Sequence, residues 1–355
     1  MLVDEEPLLD DLLRLAAAAG CELERVADAE AVRARWSAAP LLVLDARAAA
    51  RCADLRLPRR PGVVVVTCGP PPDVVWPVAL AVGAQRVVGV PDGEQWLVDA
   101  LADAVEGAST PGRVLAVVGG RGGAGASVFA AGVAVAALRL DRDALLVDCD
   151  PLAGGLDLVL GAETEQGLRW PDLRLGAGRV AASSLHTALP GRERGRARLT
   201  LLSGAREGTA PAPEAVTAVL EAGRRSGETV VCDLPRDFGP AGAAVLGRAD
   251  LAVLVVPAEV RACAAARLVA AGLHDRGVRT GLVVRGPAPG RLRPVEVADA
   301  IGVELLTSMR PESDLAAALD RGDFRPRPRG PLVRAAEVVL RALDTGSTRL
   351  GRAAS

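Results

Sequence analysis

The chain of 355 residues contains no lysine, so all 42 of its basic residues are arginine. A phosphate-binding loop here must therefore do without the ammonium that such loops ordinarily carry. Tyrosine is also absent and phenylalanine occurs three times, which leaves few platforms for base stacking and argues against nucleic acid as a partner. No uninterrupted apolar run reaches the roughly 18 residues that a membrane-spanning helix needs. The opening MLVDEEPLLDD is acidic where a secretory leader is basic, so the expected location is cytoplasmic. Cys21, Cys52, Cys68, Cys149, Cys232 and Cys263 form no C-x-x-C pair and read as small buried hydrophobes rather than disulfides or a zinc site. His186 and His274 stand apart from any pattern of ligand spacing.

Half of the residues are hydrophobic, 24% are charged and the net charge is −2, the balance of a globular chain long enough for two domains. Residues 1–105 alternate short apolar runs with amphipathic stretches. Helices are expected at Leu8–Ala19, Trp76–Val82 and Gln95–Val105, with buried strands at Leu41–Leu44, Val63–Val66 and Arg86–Val90. Met1–Val3 is short for a first strand. The polar segment 106–113, EGASTPGR, reads as a linker. From Val114 the expected strands are Val114–Val118, Ala144–Val147, Leu199–Leu202, Thr229–Cys232, Leu251–Val256, Gly281–Val284 and Glu304–Thr307. Helical patterns between them predict a doubly wound, mostly parallel α/β sheet over 114–345. GRERGRAR (191–198) and RGDFRPRPRG (321–330) read as basic solvated loops. Pro331–Leu343 reads as a last helix that packs on its domain rather than lying on a membrane, and 346–355 as a disordered tail.

Within this frame, strand VLAVV (114–118), loop GGRGGAGAS (119–127) and apolar helix VFAAGVAVAALRL follow in the order of a phosphate-binding unit. Glycines allow successive backbone N–H groups to converge on phosphate oxygens, and the helix N-terminus adds partial positive charge. The place before Ser127, where such loops keep lysine, is Ala126. Composition drift can exchange lysine for arginine, but it does not explain lysine becoming alanine. Asp150 follows the second strand of this domain and Asp233 the fourth, both on the carboxyl side where ligands sit. Ser127 and Asp233 are the natural pair to hold Mg2+, with Asp150 beside them to orient an attacking water.

These residues resemble the ParA/MinD family of P-loop NTPases. The loop resembles the deviant Walker A sequence K-G-G-x-G-K-[ST], with Arg121 at the signature lysine, Ala126 at the P-loop lysine and Ser127 at the magnesium hydroxyl. DCDP (148–151) resembles the D-x-D-P switch and CDLP (232–235) the Walker B strand. Ala249-Asp250 with Val256–Val260 resembles a later strand and helix start, and Arg310-Pro311-Glu312 resembles a segment beside the base. The resemblance implies ATP and Mg2+ as cofactors. It assigns nucleotide contacts to Gly120, Arg121, Gly122, Gly123, Ala124, Gly125, Ala126, Ser127, Val128, Arg285, Arg310 and Pro311, and metal contacts to Ser127, Asp150 and Asp233. It also implies a homodimer in which Arg121 reaches the partner's phosphate.

Residues 1–105 resemble a receiver domain with Asp45 at the phosphoacceptor place and Val90-Pro91 where lysine-proline is usual. A pseudo-receiver joined to a MinD-like domain is the arrangement of CpaE-like proteins, including actinobacterial septum site-determining and TadZ-type pilus-localisation proteins. The function implied is a spatial regulator with weak or absent hydrolysis, working with a protein partner of the division or secretion machinery and possessing at most weak affinity for a membrane surface. An active ATPase and a nucleotide-free scaffold are the alternatives.

Overall fold

The computed structural model describes residues 1–106, 110–173, 180–206 and 210–350. The chain divides into two compact units, Met1–Gly107 and Ala108–Ser355. Part of the expected linker, 107–109, lies outside the described residues.

The first unit runs α1 (Glu6–Ala18), α2 (Ala29–Arg35), β1 (Leu42–Asp45), α3 (Ala46–Asp54), β2 (Val63–Cys68), α4 (Val75–Val82), β3 (Arg86–Val90) and α5 (Glu94–Glu106). β1, β2 and β3 pair in that order, all parallel. The continuous valine run of the central strand β2, Val63–Val66, is buried on both faces, as expected of a parallel strand covered on both sides. Leu8, Leu12 and Leu15 recur at helical spacing and are all buried under α1. The short start contributes one parallel bridge, Leu2 to Leu44. Helices α2 and α3 were not anticipated, because AEAVRAR buries one residue, Val32, and α3 buries only Ala48, Ala49 and Cys52.

Asp45 stands at the phosphoacceptor place of the receiver resemblance, where the missing lysine already pointed to a pseudo-receiver. It is fully buried, and β1 runs straight into α3 with this aspartate as the N-cap. One carboxylate oxygen accepts the Ala48 N–H at 2.7 Å; the other accepts those of Asp4 at 2.5 Å and Glu5 at 3.3 Å. Its oxygens satisfy backbone donors at a helix start, so it is a structural cap and not an accessible phosphoacceptor.

The second unit contains β4 (Arg113–Gly119), α6 (Ala126–Arg139), β5 (Ala144–Asp148), α7 (Leu156–Leu160), α8 (Ala182–Ala188), β6 (Gly191–Arg194), β7 (Ala197–Leu202), α9 (Pro213–Arg225) and β8 (Thr229–Leu234). It continues with α10 (Gly239–Leu246), β9 (Leu251–Pro257), α11 (Val260–His274), β10 (Thr280–Arg285), α12 (Pro294–Ile301), β11 (Leu305–Met309), α13 (Leu315–Asp320) and α14 (Pro331–Leu350). The sheet order is β11-β10-β9-β4-β8-β5-β7-β6, with β4 central. From β4 the chain crosses through α6 to β5 and leaves a place for β8; β9 later joins the other side of β4. The carboxyl ends of the central strands therefore meet where connections diverge, the usual position of a ligand crevice.

One segment differs from the sequence expectation. GRERGRAR is not a free loop: Gly191–Arg194 forms β6, antiparallel to β7. The second basic loop is anchored by buried Phe324 and by ion pairs Arg325–Asp323 and Arg327–Asp314. α14 buries Leu332, Ala336, Val339, Leu340 and Leu343 in the same apolar cluster as α6, so its apolar face is used within the unit. The helix extends to Leu350, which makes 346–350 helical rather than part of a disordered tail; 351–355 lie outside the described residues.

Candidate functional site

β4 delivers the glycine loop to the centre of the carboxyl edge. Gly119 ends the strand, and the Gly120 N–H donates to Val255 O at 2.9 Å, which ties the loop to β9. Gly123 and Gly125 adopt φ of +71° and +89°, the left-handed region that a side chain would strain. Gly125 is the N-cap of α6, whose first residue is Ala126 rather than the expected Ser127. Gly122 and Gly123 are exposed and Ala124 is buried, while Ala126, Ser127 and Val128 are half-buried. Ala126 and Val128 pack against the apolar cluster beneath the loop.

Strand register brings the carboxylates together. Asp148 at the end of β5 pairs with Asp233 on β8, and Asp233 pairs with Val117 on β4. Asp233 is 2% exposed, and the Ser127 hydroxyl stands beside its carboxylate. Its Oδ2 is buried without a partner among the described residues. Burial pushes its pKa up to about 7, the negative charges of Asp148 and Asp150 add to the rise, and the Ser127 hydroxyl opposes it. A buried polar atom without a partner is costly unless a ligand completes it.

Asp150 is half-buried, and its carboxylate accepts the Leu152 N–H at 2.9 Å. Asp148, whose part in the site was missed from sequence, accepts three backbone N–H groups, from Asp150 at 3.2 Å, Leu156 at 3.0 Å and Gly204 at 3.1 Å. Burial nevertheless raises its pKa to about 6. Asp148 thus organises the segment after β5 and has few lone pairs left. Trp170 closes this side: it is buried and its indole N–H donates to Asp148 O at 2.6 Å. Another group missed from sequence is Asp157, also buried, which binds Arg169 at 3.1 Å and Arg206 at 2.8 Å. Its signal was a lone aspartate in GGLDLVL, with both arginines distant in sequence.

Among the described residues, no group of three or more His, Cys, Asp or Glu could hold a metal alone. Ser127 with the unpartnered Asp233 oxygen is instead a partial donor set that fits Mg2+ when phosphate supplies further oxygens.

Two guanidinium groups contact the loop. Arg121, expected to reach a partner subunit's phosphate, donates through Nη1 to Gly122 O at 2.9 Å and through Nη2 to both Glu259 oxygens at 3.0 Å. Arg285, the last residue of β10, donates through Nη2 to Gly123 O at 3.2 Å. Arg310 and Pro311 follow β11, next to β10, and are exposed; neither hydrogen-bonds the loop among the described residues.

Residues 1–113 match the family described as Rv3660c-like, CheY-like N-terminal domain. An uncharacterized Mycobacterium tuberculosis H37Rv protein, Rv3660c, is 50% identical over 358 residues, covering 99% of this chain and all of that one. Among solved structures, the Pyrococcus furiosus cell division ATPase MinD is 21% identical with a TM-score of 0.54, over 65% of this chain and 99% of that one. A ParA family ATPase from Chlorobium tepidum TLS is 20% identical with a TM-score of 0.52, over 64% and 97%. MinD of Pyrococcus horikoshii OT3, solved with Mg-ADP, is 21% identical with a TM-score of 0.51, over 64% and 95%. These likenesses establish the fold of the second unit. The chain belongs to the Rv3660c-like family, and joins a CheY-like N-terminal domain to a domain of the MinD/ParA P-loop fold.

Proposed function

We propose that this protein is a MgATP-binding spatial regulator of the MinD/ParA type, cytoplasmic, acting as a nucleotide-dependent homodimer in septum placement together with a protein of the division machinery. The observation that carries the reading is the Asp233 carboxylate, one of whose buried oxygens has no partner among the described residues, beside the Ser127 hydroxyl and the left-handed glycine loop. The backbone of Gly120–Ser127 would cradle phosphates. Ser127 would hold Mg2+ directly and Asp233 through water, with Asp150 alongside, and the bound ion would offset phosphate charge.

Choice of septum over a pilus or secretion machine rests on the motif resemblance and on the cell-division MinD likeness of the fold. Turnover is expected to be slow, because Ala126 lacks the charge that offsets the β/γ-phosphates. Removal of one preorganised donor costs about 3 kcal/mol of transition-state stabilisation. No helix among the described residues is long and apolar enough to cross a membrane. The test is calorimetry of the full chain with ATP, with and without Mg2+. Binding that requires Mg2+ and is lost in Ser127→Ala supports the reading, and no heat and no thermal shift at millimolar MgATP refutes it.

A further inference from the structure

We propose that Arg285, reaching in from the end of β10, is the phosphate-binding cation of the glycine loop and replaces the lysine absent at position 126. This inference rests on the reading of the loop as a MgATP site.

Its first support is position. Arg285 lies 162 residues from Gly123 in sequence, yet its Nη2 donates to Gly123 O at 3.2 Å. Its Nη1 lies 3.0 Å from the point where a Cβ would stand on Gly125. The guanidinium is thus laid along residues 123–125, immediately before Ala126. Gly125 is required for its φ of +89°, and the missing side chain also leaves the space that the guanidinium occupies. Strand pairing fixes the approach: Arg285 pairs with Pro257 on β9 and with Met309 on β11, so the arginine stem starts from an interior strand end.

The second support is charge. Of the two guanidinium groups that touch the loop among the described residues, Arg121 is already paired with the Glu259 carboxylate. Arg285 has no carboxylate partner among the described residues, and its hydrogen bond to Gly123 O uses one of its five N–H donors. An arginine presenting several free donors at a backbone anion cradle matches phosphate oxygens in charge and in geometry. The loop is short of a cation at Ala126, and the neighbouring strand brings one to the same stretch of backbone.

A simpler role, pinning the loop through Gly123 O, predicts different behaviour. Arg285→Gln keeps an N–H donor for Gly123 O and removes the charge, whereas Arg285→Lys keeps the charge. Binding of MgATP and of inorganic tripolyphosphate to the full chain would be measured by calorimetry, with adenosine as the uncharged control. We expect Arg285→Gln and Arg285→Ala to weaken both phosphate ligands by roughly tenfold to a hundredfold, and Arg285→Lys to lose only a few fold. Ala126→Lys in the Arg285→Gln background is expected to recover most of the loss, since a lysine restored within the loop makes the distant cation redundant. Thermal melting without ligand checks that each variant folds; if Arg285→Ala does not, the Gln and Lys variants carry the comparison. Wild-type binding that persists within twofold in Arg285→Gln, or a loss that Ala126→Lys does not recover, overturns the inference and leaves the MgATP reading standing. A wild-type protein that binds neither phosphate ligand removes the reading itself, and this inference with it.

Discussion

Replacing Asp233 by asparagine is expected to stabilise the ligand-free protein while removing its response to Mg2+. The carboxylate is 2% exposed and its pKa rises from 3.8 to about 7, chiefly through burial. Between those values the folded form keeps a proton that the unfolded chain has lost, so stability falls as pH rises through this window. At 1.36 kcal/mol per pH unit, the charged form costs the fold about 4 kcal/mol at most at pH 8. About 3 kcal/mol of this is recovered on lowering the pH to 5, since the unfolded aspartate is still largely ionised there. Asparagine keeps the shape and does not titrate. Urea denaturation of both proteins at pH 5, 6, 7 and 8 isolates the contribution, because every other titrating group is common to the two. The variant is expected to gain most at pH 8, and the gain to shrink steadily toward pH 5. With saturating ATP, Mg2+ is expected to raise the melting temperature of the wild type and not of Asp233→Asn. Parallel stability curves across this pH range would refute the buried-charge argument.

Arg121→Ala is expected to weaken ATP-dependent dimerisation tenfold or more while leaving ATP affinity within a few fold, because an interfacial charge-assisted contact is worth about 1.5–3 kcal/mol; light scattering over a range of concentrations, beside calorimetry, checks this. Glu259→Ala, which frees Arg121 from its partner in the same chain, is expected to shift dimerisation in the opposite direction, to lower protein concentration in the same assay. Ala126→Lys in the otherwise unaltered protein is expected to raise nucleotide affinity or turnover, and a folded variant that binds MgATP more weakly than the wild type would show that the loop is not shaped for phosphate. Asp45→Ala is expected to destabilise the first unit by about 2–4 kcal/mol through loss of a helix cap and two further backbone contacts, and acetyl phosphate is expected to leave the wild type unlabelled by mass spectrometry.

The central strands expected in the second unit were legible because they are nearly continuous apolar runs, the pattern of a parallel sheet covered on both faces. β6 was not, since Gly-Arg-Glu-Arg buries no side chain fully and its strand character comes wholly from backbone pairing with β7. In the first unit, α3 was hidden by a sequence whose core contribution is two alanines and a cysteine. The glycine loop with Ser127 and Asp233 could be read because the signal is local and strand ends point one way. The contacts of Arg121 and Arg285 could not, as each joins positions more than 130 residues apart and depends on strand order. The cap role of Asp45 was not legible for a related reason: an aspartate ending a strand looks the same whether its oxygens face solvent or close on three N–H groups.

The seat of Trp170 has a practical consequence. The other tryptophans, Trp36, Trp76 and Trp96, all fall in the first unit, so the second carries a single indole, hydrogen-bonded to the backbone of Asp148 and sharing a small cavity with Asp150 and Pro151. With the other three changed to phenylalanine, intrinsic emission would report on one point of the molecule, the carbonyl of Asp148, two residues before a candidate water-orienting group. Any rearrangement of the 148–151 segment would alter the polarity and quenching around that fluorophore, which makes stopped-flow timing of the event possible without an attached dye.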